Sequence, residues 1–395
     1  MKLFLRLIIG FLLVSLTLSS GYNDRVCVTA KPKEANIWLD MVIVVDNSRS
    51  MADYNWDMIL HYGIEQSFGG KQRIGTNQGD PMTTRVGFVT YNKDATIVAD
   101  LNKFQSFDDL NQTAYSFLSS VSDISESYLA RGLQAAEQVL QSGRSNGYRS
   151  NYQQLIIVYT ALYQGIGDLD PMPVANRLKN NGITITVIDT ISVCGEHIDP
   201  SNKLPNIASE DFYDFICTNT PDFLYVAQVE TNCFCKDAWI QYGADNFYKR
   251  GICVKVFSSE KTSWLAAKVS CQNTITNGYL APDFDTEKHK FLINVFKNTT
   301  GLLAGYHIGL NFLNGKWYWQ QPTGQPLVPL DSSYWPNTPW FWGWPKSSTT
   351  NTSVATVLQD INGADVDGWE NINPYTDNQY YICEVDACSV DNYCP

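Results

Sequence analysis

The residues with the clearest chemical potential stand at positions 46 to 50. There an apolar run, Met41-Val-Ile-Val-Val45, ends in Asp46-Asn-Ser48-Arg-Ser50. One carboxylate and two hydroxyls at alternate positions can offer a hard cation such as Mg²⁺ or Mn²⁺ oxygen ligands, directly or through water, and leave positions open for an acidic ligand. A mostly β-branched run of this length fits the central strand of a parallel sheet, and such strands carry ligand sites at their carboxyl ends. A second candidate is Pro339-Trp-Phe-Trp-Gly-Trp-Pro345. If the segment is extended, Trp340, Trp342 and Trp344 share one face. Exposed, that stripe is a platform for sugar rings; buried, it packs a small core. Catalytic chemistry is not indicated. His61, His197, His289 and His307 show neither metal-ligand spacing nor a nucleophile constellation, and Asp108-Asp109 reads as the solvated first turn of a helix. The chain is expected not to be an enzyme.

The elements that must position these residues follow from periodicity. From Ile37 to about residue 230, strand-like and helix-like stretches alternate, as in an open, mostly parallel α/β sheet. Strands are expected at 85–91, 95–99, 154–160 and 183–189. Helices are expected around 107–121 and 129–140, at 171–181 with Pro at its start and Gly182 beyond its end, and at 221–230. After Thr231 the alternation stops and Trp, Tyr, Asn, Pro and Gly become dense, which marks a second domain.

Composition narrows the function classes. Lys2 and Arg6 precede an apolar stretch from Leu7 to Leu18 closed by Ser19, Ser20 and Gly21, the pattern of a secretory signal peptide over 1–21. The 28 basic residues, less those two, against 40 acidic ones leave a mature chain of −14, a poor partner for nucleic acid or anionic membranes. Ten cysteines suit an oxidising compartment and extracellular disulfides. Asn111, Asn298 and Asn351 begin glycosylation sequons.

Placed after a buried strand and before a helical pattern, Asp46-x-Ser48-x-Ser50 resembles the metal-ion-dependent adhesion site of von Willebrand factor A domains, and residues 37–231 resemble such a domain in the order of their elements. The resemblance implies a hydroxyl from a later loop, which here falls on Ser127, and a second Asp directly after the strand 155–159. Thr160-Ala161 stands there instead, and the next carboxylates are Asp168 and Asp170. Losing that group is expected to leave a weak or empty cation site.

Beyond Cys233, the ordered series Trp264-Leu-Ala-Ala-Lys-Val-Ser-Cys271, Tyr279-Leu-Ala281, His307-Ile-Gly-Leu-Asn311, Gly315-Lys-Trp-Tyr-Trp319 and Tyr380-Tyr-Ile-Cys-Glu384 resembles a C-type lectin-like domain. An α+β domain over 232–395 is therefore expected, after an N-terminal segment 22–36 and the A domain. The resemblance implies Cys271 bonded to Cys383 and Cys235 to Cys253. Proximity favours Cys194 with Cys217 and leaves Cys27, Cys233, Cys388 and Cys394 open. The family's calcium triplets are not kept: the nearest equivalents are Trp335-Pro-Asn337 and Trp369-Glu370-Asn371. An indole supplies no oxygen to Ca²⁺, so calcium is not expected, although Asn337, Glu370 and Asn371 remain candidate ligand contacts. The two-domain pairing resembles a group of nematode secreted lectin-like proteins, which implies recognition of glycans or microbial surfaces in innate defence, with the A domain holding proteins. The alternative expectation is an extracellular adhesion or matrix protein that binds proteins through its A domain and binds no sugar.

Overall fold

The computed structural model describes residue 27 and residues 36–51, 58–68, 72–76, 79–118, 121–191, 201–244, 248–331 and 335–395. The expected signal peptide, most of segment 22–36, His197 and Cys194 lie outside the described residues. Two compact units emerge: one within Val28–Cys233 together with Ser389–Pro395, the other Phe234–Cys388.

The first unit is a six-stranded sheet in the order β3-β2-β1-β4-β5-β6. Its strands are β1 (Leu39–Asp46), β2 (Arg85–Tyr91), β3 (Ala95–Ala99), β4 (Gln153–Thr160), β5 (Thr184–Asp189) and β6 (Tyr213–Phe215). Only β2 and β3 pair antiparallel. Every residue of β1 is buried because the strand is covered on both faces, which is why its sequence runs apolar rather than alternating. One layer includes α1 (Ile59–Glu65, a π-helix), α2 (Phe107–Leu118) and α5 (Thr220–Thr231); the other includes α3 (Leu129–Gly143) and α4 (Pro171–Asn180). Phe117, at the last turn of α2, is exposed.

The carboxyl-terminal heptad was expected to belong with the second domain, but it packs in the first unit. Val390 is buried among β1, β4 and α5 side chains, Trp38 Nε1 donates to Ser389 O at 3.0 Å, and the rings of Trp38 and Tyr393 meet edge to face. Asn151 Nδ2 donates to Cys394 O at 2.8 Å. Nothing local in Ser-Val-Asp-Asn-Tyr-Cys-Pro identifies that partner, since the contacts span more than 200 residues of sequence.

The second unit is a mixed sheet. Its main path is β12 (Val328–Pro329), β11 (Lys316–Trp319), β10 (Tyr306–Leu313), β15 (Asn378–Asp386), β8 (Tyr248–Ser263) and β7 (Ile240–Ala244). Strand β13 (Ser353–Ile361) pairs with β10 and with β14 (Ala364–Ile372), and β9 (Tyr279–Leu280) pairs with β15. Helix α6 (Trp264–Thr274) buries Trp264, Ala267 and Cys271 as its periodicity requires, and Ser263 caps it. Helix α7 (Thr286–Thr300) is capped by Asp285 and ends at Gly301, whose φ of 66° is the left-handed conformation glycine adopts without penalty. Cys235 is bonded to Cys253 and Cys271 to Cys383. Cys27, Cys217, Cys233, Cys388 and Cys394 are also disulfide-bonded. The buried Lys288 Nζ meets Glu384 Oε2 at 2.7 Å, and Tyr279 OH donates to the other carboxylate oxygen at 2.6 Å.

Candidate functional site

In the first unit, β1 delivers Asp46 to the carboxyl edge of the sheet, where loops after β1, α2 and β4 meet. Asp46 Oδ1 accepts the Ser48 N–H at 2.8 Å, and Oδ2 accepts the Ser127 hydroxyl at 2.6 Å. The Ser48 and Ser50 hydroxyl oxygens are 2.5 Å apart. The fold thus brings together all four oxygen-bearing residues singled out in the sequence. The adjoining loop is tied in by Gln164, whose Oε1 accepts the Ser127 N–H at 2.6 Å. Burial raises the Asp46 pKa above its usual 3.8, while hydrogen bonds from Ser127, Ser48 and the Ala161 backbone hold it down. Tyr91, buried beneath and donating to Thr160 Oγ1 at 2.8 Å, is pushed well up by burial and then by the Asp46 charge.

Asp168 and Asp170 do not replace the missing second carboxylate. Asp170 caps α4 and accepts the Tyr163 hydroxyl, and Asp168 is exposed in a short turn. The donor set is therefore one carboxylate and three hydroxyls. All are hard oxygens with lone pairs to spare, and they fit Mg²⁺ or Mn²⁺ with only one compensating charge. Among the described residues no group of three His, Cys, Asp or Glu could hold a metal.

In the second unit the tryptophan stripe does not form. The segment turns instead of extending: Trp344 N–H donates to Phe341 O at 2.9 Å, and Gly343 has φ 84°. The three indoles consequently part. Trp340 packs edge to face on the buried Trp369, with centroids 5.4 Å apart. Trp342 is 98% exposed. Trp344 is half-buried, with Lys346 Nζ 3.9 Å from its ring centroid.

Strand β14 backs this turn. Trp369 N–H donates to Pro339 O at 2.6 Å and Trp369 O accepts the Phe341 N–H at 3.0 Å. A Cβ on Gly368 would lie 2.7 Å from the Phe341 ring, so the close approach requires glycine. Asn371, 2% exposed, accepts the Lys346 N–H at 2.8 Å and donates to Lys346 O and Asn351 O, both at 2.9 Å. It fastens the loop and has no amide hydrogen left for a ligand. Asn337 is exposed, whereas the Asn371 side chain is turned to the backbone of Lys346 and Asn351. Glu370 is half-buried, its pKa raised by burial against the opposing pull of the Lys346 charge.

Of the sequon residues, Asn298 is exposed on α7. Asn111 is half-buried on α2, and Asn351 Nδ2 donates to Asn371 O at 3.3 Å.

Sequence reasoning missed a cluster of the buried Asp283 and His289 with the partly exposed Asp367 of β14. His289 Nδ1 stands 2.5 Å from Asp283 Oδ2, and Nε2 is 2.8 Å from Asp367 Oδ1. The spacing Asp283-Phe-Asp285, with Asp285 as cap, could have suggested that Asp283 faces the first turn of α7. Asp367, 78 residues from His289, carried no such signal.

Residues 40–231 match the von Willebrand factor type A domain family. The chain is 24% identical over 396 residues to C-type lectin domain-containing protein 160 of Caenorhabditis elegans, covering 94% of this chain and 56% of that protein; it thus spans little more than half the relative's length. Among solved structures, proximal thread matrix protein 1 from the mussel byssus is similar to 49% of this chain over 47% of its own, at 20% identity and TM-score 0.38. The C-type lectin domain of murine dendritic cell inhibitory receptor 2, solved with an N-glycan, is similar to 38% of this chain over 98% of its own, at 19% identity and TM-score 0.29.

Proposed function

We propose that this chain, whose residues 40–231 are a von Willebrand factor type A domain and whose second unit has a C-type lectin-like fold, is a secreted recognition protein rather than an enzyme. In this reading the second unit binds glycans of the kind displayed on microbial surfaces, without calcium, in a role in innate defence, and the A domain holds protein partners. The observation that carries the reading is the exposure of Trp342 on a turn whose backbone is held by Trp369 at Phe341 and by Asn371 at Lys346. A large apolar ring left wholly in water at a fixed position is costly unless something covers it, and indole faces suit the C–H faces of sugar rings. Lys346, whose Nζ lies over the neighbouring Trp344 ring, and Glu370, which feels the Lys346 charge, would supply a donor and an acceptor for ring hydroxyls. Disulfides at every described cysteine, and the lack of any helix among the described residues long and apolar enough to cross a membrane, support an extracellular setting.

At the A domain, Asp46, Ser48, Ser50 and Ser127 would hold Mg²⁺ or Mn²⁺. When bound, such an ion supplies a Lewis-acidic position for a partner's carboxylate. The chain's own part is to hold the oxygens together through the Ser127–Asp46 bond.

The test is a glycan array probed with the full chain and Trp342→Ala, with and without EDTA. The reading requires a signal that survives EDTA and disappears in Trp342→Ala at unchanged melting temperature. An array silent for the wild type, combined with metal-dependent capture of proteins, would replace it with the second reading that the Asp46 cluster favours: an adhesion or matrix protein without sugar binding.

A further inference from the structure

We propose that His289 is a positioning residue for the Trp342 loop: by bridging Asp283 and Asp367 it fixes β14, and β14 fixes the backbone that presents the indole. The proposal rests on the reading of Trp342 as the ligand-contacting residue.

Side chains two apart on a strand share a face, so Asp367, Trp369 and Asn371 project from β14 to one side. The register of β13 against β14 runs unbroken from Ser353–Ile372 to Ile361–Ala364, which keeps that alternation intact. The first two of these residues are tied to the start of α7. Asp367 accepts from His289 Nε2 at 2.8 Å, and Trp369 Nε1 donates at 2.9 Å to Asp283 Oδ2, the oxygen that also faces His289 Nδ1. The third, Asn371, holds Lys346 and Asn351. Three consecutive positions on one face thus link helix, strand and loop.

The central group of this link is a charged ring. Both imidazole nitrogens face carboxylate oxygens, and only the doubly protonated ring donates to both. Burial works against that charge, but Asp283 and then Asp367 outweigh it and hold the His289 pKa up at about 10. Asp367 is lowered in return, chiefly by the His289 hydrogen bond. The other groups facing the cluster do not compete for the proton: Tyr306 of β10 is a buried phenol pushed well above its usual pKa, and Lys297 is ion-paired to Asp365 at 2.8 Å. The indoles of Trp335 and Trp369 close the sides. Asp283 is fully buried, and its Oδ1 has no hydrogen-bond partner among the described residues. Its charge is therefore stabilised through Oδ2 alone, by His289 and Trp369. Without the imidazolium, the buried Asp283 carboxylate and the partly exposed Asp367 carboxylate face each other with no cation between them, and β14 loses its Asp367 tie to α7 while the Trp369–Asp283 bond remains.

The experiment is hydrogen exchange of the full chain at neutral pH for wild type, His289→Gln and Asp367→Asn, alongside NMR titration of the His289 ring. Both variants should raise exchange in residues 336–346 by roughly tenfold or more while leaving the first unit and Tyr248–Ser263 unchanged, and the wild-type ring should stay protonated well above pH 7. If His289→Gln loosens the whole second unit, Asp367→Asn decides, because that carboxylate is partly exposed and leaves Asp283 paired. Loop exchange unaltered in Asp367→Asn, or a ring titrating near 6.5, overturns the proposal. Faster loop exchange with a glycan signal that ignores Trp342→Ala would keep the clamp and remove the sugar reading beneath it.

Discussion

Asn371 grips the backbone of Lys346 from both sides, accepting its N–H at 2.8 Å and donating to its carbonyl at 2.9 Å. A residue expected from sequence to face ligand is thus committed inward, and ligand contact passes to the loop it fastens. Its carbonyl oxygen and both amide hydrogens are used, which makes it a clamp with no substitute of similar size.

Asn371→Asp should be worse than Asn371→Ala. Alanine leaves three backbone groups partly unsatisfied, a loss of about 1–3 kcal/mol, whereas a carboxylate must also face the Lys346 and Asn351 carbonyls. Denaturant unfolding of the full chain gives the order. An aspartate variant as stable as the wild type would show that the site accepts an ion-binding carboxylate after all.

The indoles should separate into binding and folding residues. Trp369→Ala removes a fully buried ring contacted by Trp319, Trp335 and Trp340, and should cost about 3–5 kcal/mol. Trp342→Ala should change stability by less than about 0.5 kcal/mol, as surface replacements do. Thermal melts of the two variants check this.

Mg²⁺ or Mn²⁺ at about 100 times its dissociation constant should stabilise the first unit by roughly 2.7 kcal/mol, and Asp46→Ala should abolish the effect. The pH dependence comes from a pKa raised in the folded state. In the metal-free protein, ionising Asp46 costs stability as pH rises from 3.8 through the raised value, and a bound cation relieves that cost. The metal-induced shift should therefore be larger at pH 7.5 than at pH 4.5. A shift independent of pH, or one retained in Asp46→Ala, would place the ion elsewhere.

Val390→Asp should destabilise the first unit, because it puts an unpaired charge among the buried side chains of β1, β4 and α5. A loss of about 3 kcal/mol or more is expected, with faster hydrogen exchange in β1 and β4. Exchange that rises in the second unit instead would return the heptad to that unit.

For the His289 cluster the signs oppose at the two ends of the pH scale. The raised His289 pKa gives stability present below 6.5 and lost as pH rises through about 10, and the lowered Asp367 pKa gives stability present above 3.8 and lost as pH falls through its folded value. Melting temperature should therefore fall at both extremes. Asp367→Asn should flatten the acid limb.

What the sequence by itself determined was whatever rests on local periodicity and on residues close along the chain. The apolar run of β1 fitted a doubly covered strand that ends at Asp46. Trp264, Ala267 and Cys271 had to share a helical face, and Pro171 and Gly182 had to bracket α4. The loss of the second carboxylate at Ala161 was likewise legible, since it depends only on the residues directly after β4. Tertiary structure decided everything set by distant partners. Alternation would have aligned three indoles, but a turn at Gly343 and the pull of buried Trp369 on Trp340 separated them and left Trp342 alone in solvent. The same holds for His289 with Asp367, and for the heptad that returns to Trp38 and Asn151. Short-range pattern specifies which face a residue takes on its own element; only packing specifies what that face meets.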